Sequence, residues 1–448
     1  MNVSRIISGW LYTGGIHIYQ GILKVAAARH RKARLMMRGR RGTMDAVRRT
    51  RRTGDRWIWL HAASLGEFEQ GRPLMERVRR EHPELKIALS FYSPSGYEVR
   101  KSWDGADMVV YMPADTPRMA CRFLDALRPE AAVFVKYEFW GNFLSELRRR
   151  DIPAYIISAV FREGQPFFRP WGGYWRGMLC CFTRLFVQDE DSRRLLSGIG
   201  LDNVTVAGDT RFDRVTDIMR GTSDIDALER FTCGRTRLTL IYGSSWEADE
   251  DVYFPWLRQH AAEYKAKIII APHEFGGMRL ERMRAGLEPA LKTVFMSEAA
   301  ADPSVLDSAD CLIMDCFGML SSAYRYACIA YVGGGFGAGI HNINEAAVYG
   351  IPVVYGPRHD KFIEASELAA AGGGFPIGSR ADYAVVMSAL SDRGARAEAG
   401  RRAGEYIASK LGATDKVYRA IFSEGELEKG VHAVGMPVLS VEIVAGTY

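Results

Sequence analysis

Two stretches carry residues whose types and spacing suit chemistry. The first is Gly333-Gly334-Gly335-Phe336-Gly337-Ala338-Gly339-Ile340-His341-Asn342-Ile343-Asn344-Glu345. The apolar run 327–332 before it reads as a buried strand, and residues 346–349 after it read as a helix. Strand, glycine loop and helix let a backbone approach a phosphate and turn helix N–H groups toward an anion. Glu345, one turn into that helix, can reach the sugar hydroxyls of a nucleotide. The plain alternative is a flexible glycine turn; the His-Asn-x-Asn-Glu continuation favours the nucleotide. The second stretch is His61-Ala62-Ala63-Ser64-Leu65-Gly66-Glu67, between a strand-like run over 57–62 and an amphipathic helix over 68–80. A carboxylate at a helix start is favoured by the helix dipole and stays ionised unless buried. On this pattern alone Glu67 reads as an N-terminal cap.

Both stretches need strand–turn–helix units to hold them, and the chain supplies such units throughout. Residues 86–92 form a strand entering Ser93-Pro94-Ser95-Gly96, and 108–112 lead into Pro113-Ala114-Asp115-Thr116-Pro117. Residues 131–136 lead into Tyr137-Glu138-Phe139-Trp140-Gly141-Asn142, and 153–158, 184–187 and 203–206 complete the first half. The pattern restarts with 237–242 into Gly243-Ser244-Ser245-Trp246, then 266–271 into Pro272-His273-Glu274, 293–296, 310–314, 328–332 and 352–355. Strands alternating with helices at this spacing predict parallel sheets covered on both faces. The expected fold is α/β, with two Rossmann-like parallel-sheet domains facing a cleft. Its parts are residues 1–52 (an N-terminal membrane-associating helix and basic segment), 53–207 (acceptor domain), 208–214 (linker), 215–425 (nucleotide-sugar donor domain) and a tail, 426–448, without assignment. Ligand groups at strand carboxyl ends would converge on the cleft.

The 448 residues are too many for one ordinary core, and 48% apolar with 25% charged residues describes a folded globular protein. The seven cysteines have no metal-ligand or disulfide-scaffold spacing and read as reduced thiols. The net charge of +6 is unevenly placed: Lys and Arg crowd residues 24–56, opposed only by Asp45 and Asp55. Such a block suits anionic lipid, phosphate or nucleic acid. Before it, residues 6–23 carry no Asp, Glu, Lys or Arg. Gly9, Gly14, Gly15, Gly21, His17 and Gln20 make them a weak spanning helix, whereas Trp10, Tyr12 and Tyr19 favour a membrane interface. The basic block behind them obeys the positive-inside pattern, which places the body of the protein in the cytoplasm. The alternative is a buried N-terminal helix.

Several ordered motifs together resemble one family. His61-Ala62-Ala63-Ser64-Leu65-Gly66-Glu67 resembles its His-Ala-x-Ser-x-Gly-Glu, and Tyr137-Glu138-Phe139-Trp140-Gly141-Asn142 its Glu-x-Trp-Pro-Asn. Gly208-Asp209-Thr210-Arg211-Phe212-Asp213 is similar to its Gly-x-x-Lys-Phe-Asp, and Gly243-Ser244-Ser245-Trp246 to its Gly-Ser-Thr turn. Gly333-Gly334 with His341-Asn342 and Glu345 resembles its Gly-Gly…Gly-Gly-His-Asn-x-x-Glu-Pro-Ala, and Pro352-Val353-Val354-Tyr355-Gly356-Pro357 with Phe362 its Pro-Val-x-x-Gly-Pro…Asn-Phe. The family is the Kdo (3-deoxy-D-manno-octulosonic acid) transferases of lipopolysaccharide synthesis, glycosyltransferases of the GT-B fold. The resemblance runs from the N-terminal segment to about residue 421.

It implies an inverting, metal-independent enzyme without a cofactor at the cytoplasmic face of a Gram-negative inner membrane. The donor substrate would be CMP-Kdo and the acceptor a lipid A precursor, lipid IVA or a Kdo-bearing form of it. Anionic inner-membrane lipids are further expected partners, and nucleic acid is not. By resemblance Glu67 is the general base, with Glu138 in reserve or orienting a sugar. Ser64, Gly66, Trp140 and Asn142 are the expected acceptor side. Ser244, Ser245, Gly333, Gly334, Gly335, His341, Asn342 and Glu345 are the expected donor side. The pattern departs at Gly141 and Ala346, where the family has Pro, and at His273, where it has an arginine expected to hold donor phosphate; Arg279 and Arg358 are the candidate substitutes. Two rival readings stand beside it. One is a GT-B enzyme with a UDP-sugar donor. The other is a membrane-bound nucleic-acid binder using the basic arm, which leaves the glycine and glutamate motifs idle.

Overall fold

The computed structural model describes residues 3–221, 224–233 and 237–423, so the tail 426–448 lies outside the described residues. Fourteen strands form two seven-stranded sheets, every pairing parallel. The first sheet contains β1 (Arg56–Ala62), β2 (Leu85–Phe91), β3 (Met108–Tyr111), β4 (Ala131–Val135), β5 (Ala154–Ala159), β6 (Arg184–Val187) and β7 (Val204–Val206), in the order β3-β2-β1-β4-β5-β6-β7. The second contains β8 (Thr239–Ser245), β9 (Lys267–Pro272), β10 (Thr293–Phe295), β11 (Cys311–Ile313), β12 (Ile329–Val332), β13 (Val353–Tyr355) and β14 (Gly374–Pro376), in the order β10-β11-β9-β8-β12-β13-β14. Central strands such as β4 (AAVFV) and β9 (KIIIAP) are buried along their whole length. That is the continuous apolar pattern of a parallel sheet covered by helices on both faces.

Each sheet has one place where the strand order reverses. In the first, the chain runs outward from β1 to β3 and returns on the other side at β4. In the second, β9 to β11 lie on one side of β8 and β12 to β14 on the other. Crossovers leaving in opposite directions open a crevice at the carboxyl ends of the two strands that flank the reversal. The four motif segments follow those four strands: His61–Glu67 after β1, Lys136–Asn142 after β4, Ser244–Trp246 at the end of β8, and the glycine loop after β12.

The compact units differ in their bounds from the expected domains. One takes the chain to Arg211 together with the described residues from Gly412; the other is Phe212–Leu411. The expected second domain ran on to 425, but the helix Ala413–Tyr418 and the turns after it belong to the first unit. Val417 and Ile421, four residues apart on one face, are fully buried in one cluster with Leu60, Leu74 and Val78. Arg77 donates to Asp415 at 2.8 Å and lies 4.0 Å over the Tyr418 ring. The expected linker 208–214 is also built in. Buried Asp209 accepts from Gln70 at 3.0 Å and from Arg211 at 2.8 Å, and a helix starts at Thr210.

The N-terminal segment is part of the first unit too. Helices Val3–Ala26 and Arg31–Thr50 precede β1, and the second packs on β3 through Thr43, whose hydroxyl donates to the Tyr111 carbonyl at 2.8 Å. No helix among the described residues is long and apolar enough to cross a membrane. The first helix buries Tyr12 against Tyr174 and Trp175 while Ile7, Trp10, Leu11, Ile18, Ile22 and Val25 stay exposed. If the returning segment completes the first core, Ile421→Ala should remove about 2–5 kcal/mol of stability. Calorimetry and hydrogen exchange should place that loss in the first unit; equal loss in residues 212–411 contradicts the assignment.

Candidate active site

After β1 the backbone turns through Ala63 into the helix Leu65–Glu81, with Ser64 as its N-cap. The Ser64 hydroxyl accepts the Glu67 N–H at 3.4 Å, and the Glu67 carboxylate folds back so that Oε2 accepts the Ala63 N–H at 2.5 Å. This is the reciprocal capping that a Ser-x-x-Glu spacing encodes. Gly66 beside it is exposed and uncrowded. The capping does not exhaust Glu67. Burial, and next the nearby Glu138 charge, raise its carboxyl to about 7, against the opposing pull of the Ala63 N–H and Lys136. The plain cap and the reactive carboxyl are therefore one geometry.

Glu138 is more deeply enclosed, 6% exposed. Its Oε2 accepts from His61 Nε2 at 2.8 Å and from the Trp140 indole N–H at 2.6 Å. Behind it runs a chain of polar groups. The Trp59 indole N–H donates to Ser90 Oγ at 2.8 Å, and that hydroxyl lies 2.8 Å from His61 Nδ1. His61 Nδ1 also lies 3.1 Å from the Ser90 carbonyl, while its Nε2 faces the carboxylate. Glu138 is thus held by two side-chain partners, His61 and Trp140. Lys136, at the end of β4, takes a left-handed backbone with φ +64° and sets the turn that carries Glu138.

Trp140 stacks on Tyr92 at 4.8 Å and keeps part of its surface exposed. Asn142 faces inward instead: its amide donates to the Asp115 carbonyl at 2.6 Å and its Oδ1 accepts from Thr13 at 3.3 Å. Both ends of the Asn142 amide therefore have partners within the unit. Tyr12 of the first helix joins the same cluster, donating to Asp115 at 2.6 Å and accepting the Gly141 N–H at 3.2 Å. A Cβ on Gly141 would stand 2.6 Å from Met178 Cε and 2.8 Å from the Tyr174 hydroxyl. Glycine in place of proline at 141 follows from this: a ring would meet these atoms, and the missing N–H would strand the Tyr12 hydroxyl.

In the second unit the glycines act mainly to let chains approach. A Cβ on Gly335 would lie 2.6 Å from Gly356 Cα, and Gly334 has φ +94°. Several of the loop amides are already engaged within the unit. The Gly334 N–H donates to Asp249 Oδ2 at 2.8 Å, and the Trp246 N–H reaches the same oxygen at 3.1 Å. The N–H groups of Gly333, Gly337, Gly339 and His341 all bond carbonyls within the unit. The helix after the loop, Asn344–Ala347, has four residues, too few for a strong terminal dipole. Asp249 thus takes the Gly334 and Trp246 amides. Sequence reasoning missed it, and the available signal was an acid in the first turn after Trp246.

Side chains of the same segment are oriented by their neighbours. Glu345 accepts from Asn342 at 3.1 Å and from Ser321 at 2.5 Å, which aims a carboxylate with both oxygens oriented. The His341 ring lies 4.7 Å from that of His273, and burial, then His273, lowers its pKa to about 4. Its Nε2 accepts the Trp246 indole N–H at 3.2 Å, so the neutral ring carries its proton on Nδ1. The Ser245 hydroxyl is buried against Glu250 and Tyr253, and Ser244, with φ +52°, keeps the exposed side of the turn. A cavity of about 460 Å³ adjoins Trp246, Glu247, Glu274, Arg279, Arg282 and Gly337. Of the two candidate arginines, Arg279 is paired to Glu250 and Arg358 to the Gly337 carbonyl.

Gly141→Pro, the residue expected from the resemblance, should destabilise the first unit by about 1–3 kcal/mol, because the buried Tyr12 hydroxyl loses its donor. Thermal unfolding checks this, and an unchanged melting temperature would show that Tyr12 does not depend on that N–H.

Comparisons with known proteins show what the chain is similar to. Residues 33–214 match the family described as 3-deoxy-D-manno-octulosonic-acid transferase (kdotransferase). The chain is similar to the 3-deoxy-D-manno-octulosonic acid transferase of Aquifex aeolicus, at 24% identity over 338 residues, covering 74% of this chain and 85% of the relative. It is likewise similar to that of Bordetella pertussis, at 25% identity over 382 residues, covering 81% and 86%. Among solved structures, Acinetobacter baumannii MurG has a TM-score of 0.54 at 12% identity, covering 82% of this chain and 99% of that one. UDP-GlcNAc 2-epimerase from Neisseria meningitidis has a TM-score of 0.57 at 14% identity, covering 82% and 100%. At such identities these two speak for the fold alone, a GT-B type with two Rossmann-like parallel-sheet units. With the His61–Glu67 and Gly333–Glu345 motifs placed at the two strand-order reversals, the chain is similar to Kdo transferases through its residues 33–214 and, at 24–25% identity, over most of its length.

Proposed function

We propose that this chain transfers Kdo from CMP-Kdo to lipid IVA, the lipid A precursor, with inversion at the anomeric carbon and without a metal. Glu67 is the general base. It takes the proton of the attacking acceptor hydroxyl as that oxygen bonds to the anomeric carbon and CMP departs with the bonding pair. The observation that carries this reading is a carboxyl raised to about 7 at the end of β1, oriented by the Ala63 N–H and held beside a second, firmly hydrogen-bonded carboxylate. A base with a pKa near the working pH combines a deprotonated fraction with useful basicity. Glu138 orients a sugar, with Ser64, Gly66 and Trp140 around it. On the donor side Glu345, set by Asn342 and Ser321, accepts from nucleotide ribose hydroxyls, and His341 offers Nδ1–H.

The reading places the protein on the cytoplasmic face of an inner membrane. What supports this is the row of exposed apolar residues on the first helix, followed by exposed Arg31, Lys32, Arg34, Arg38 and Arg41 on the next. An apolar face beside cations suits a helix lying in an anionic interface.

Because the base form is the active one, kcat/KM should rise with pH and level off above about 7. Glu67→Gln should lower kcat by roughly 10²–10⁴-fold while CMP binding survives; Glu345→Ala should weaken that binding instead. Near-normal turnover in Glu67→Gln would transfer the base role to Glu138. UDP-sugar turnover without Kdo transfer would overturn the donor assignment. Replacing Trp10 and Leu11 by Ser should reduce co-sedimentation with phosphatidylglycerol vesicles several-fold; unchanged sedimentation would remove the first helix from the membrane contact.

A further inference from the structure

The basic segment 24–56 reads as a solvated arm, and most of its arginines are exposed. Arg40 is different. Its Nε and Nη2 are shielded from solvent and meet no hydrogen-bond acceptor among the described residues. Nη1 meets the Gln20 side-chain oxygen at 3.3 Å, and the guanidinium is within hydrogen-bonding reach of the Tyr92 hydroxyl. Other part-buried arginines of this unit have an acid beside them: Arg79 pairs with Asp107 at 2.6 Å, and Arg150 with Asp125 at 2.8 Å. A shielded cation without an anion is unfavourable. Nε and Nη2 also share one edge of the guanidinium, the edge whose parallel N–H vectors grip an oxyanion bidentately.

The surroundings say which oxyanion. Arg40 lies 4.6 Å over the Tyr92 ring, and Tyr92 stacks at 4.8 Å on Trp140, whose indole N–H donates to Glu138. The unfilled edge is therefore two rings away from the candidate catalytic carboxylates. Its cover comes from the first helix, through Gln20 and through Tyr19, which hydrogen-bonds Tyr92 and is 39% exposed. Ile18 and Ile22, the exposed neighbours of that cover on the same helix, suit acyl chains. An anion reaching Arg40 past Tyr19 thus arrives attached to an apolar body.

We propose that Arg40 is the phosphate-binding group of an acceptor subsite, with the hydroxyls of Tyr19 and Tyr92 beside it, and that its ligand is a phosphomonoester carried by the lipid acceptor. This rests on the reading that Glu67 serves transfer to a phosphorylated lipid. It makes Arg40 a specificity residue, separate from the base.

The test uses the full chain and two acceptors, the phosphorylated lipid and the same lipid with its phosphates removed. Wild type should lose roughly 10- to 100-fold in kcat/KM on dephosphorylation, mostly through KM, the range of a charge-assisted hydrogen-bonded contact. Arg40→Gln should show that loss already with the phosphorylated lipid and respond little to dephosphorylation. Arg40→Lys, which keeps the charge but not the fork, should fall between and serves as the comparison if the Gln variant does not fold. A variant that keeps the wild-type phosphate dependence overturns the proposal. So does reduced binding of Arg40→Gln to phosphatidylglycerol vesicles with an unchanged acceptor ratio, since the group would then hold bulk phospholipid. Binding of both acceptors, followed by tryptophan fluorescence, makes the same comparison without turnover. Arg40-dependent phosphate recognition without any Kdo transfer would sink the transfer reading and leave this one standing.

Discussion

The reversal of strand order in each parallel sheet is the constraint on which the rest of the structure depends. Parallel strands need crossover helices, and those helices must lie on one face or the other. Where successive crossovers leave in opposite directions, two strand ends stand without a connection packed over them. In the first sheet these are β1 and β4; in the second, β8 and β12. The residues that end these strands are themselves buried, and the turns that follow them carry the polar groups. His61 and Glu138 are both buried, and both are hydrogen-bonded on the side facing the core.

Buried polar groups are tolerated when each has a partner, and the two sites meet that condition differently. In the first, indole, hydroxyl and imidazole groups line up from Trp59 to Glu138, so one carboxylate is pinned and the other, Glu67, bears the repulsion. In the second, Asp249 takes the Gly334 and Trp246 amides, and Glu345 is oriented by a hydroxyl and an amide. The glycines there permit close backbone approach.

The N-terminal helix ties its lipid-like face to the same machinery. Tyr12 and Thr13 reach Asp115 and Asn142, and Gly141 is small because Tyr12, Tyr174 and Met178 occupy the space above it. The departures from the family pattern are therefore of two kinds. Gly141 has a packing reason within this chain. For His273, where an arginine is expected, the structure shows an aromatic stack with Trp246 at 4.2 Å, and both substitute arginines are already paired.

Much was legible in the sequence because its causes are local. Alternation of apolar runs with amphipathic stretches dictates parallel strands and helices, and Ser64 with Glu67 spells out a helix cap within four residues. The motif order along the chain located all four strand ends. The rest depended on residues far apart in sequence. Asn142 turned inward because Asp115 and Thr13 meet it, Ser245 because Glu250 and Tyr253 do, and the segment after Leu411 returned to the first unit because Val417 and Ile421 fit its core. The raised carboxyl of Glu67 needs burial by the folded unit and then the charge of Glu138, 71 positions later, and the unmatched edge of Arg40 is defined by which acids fail to reach it. Sequence alone determined which elements form and which residues stand at their ends, since those follow from neighbours along the chain. Only the tertiary structure decided which polar groups are already satisfied, because a hydrogen bond or an ion pair depends on what folding brings within about 3 Å.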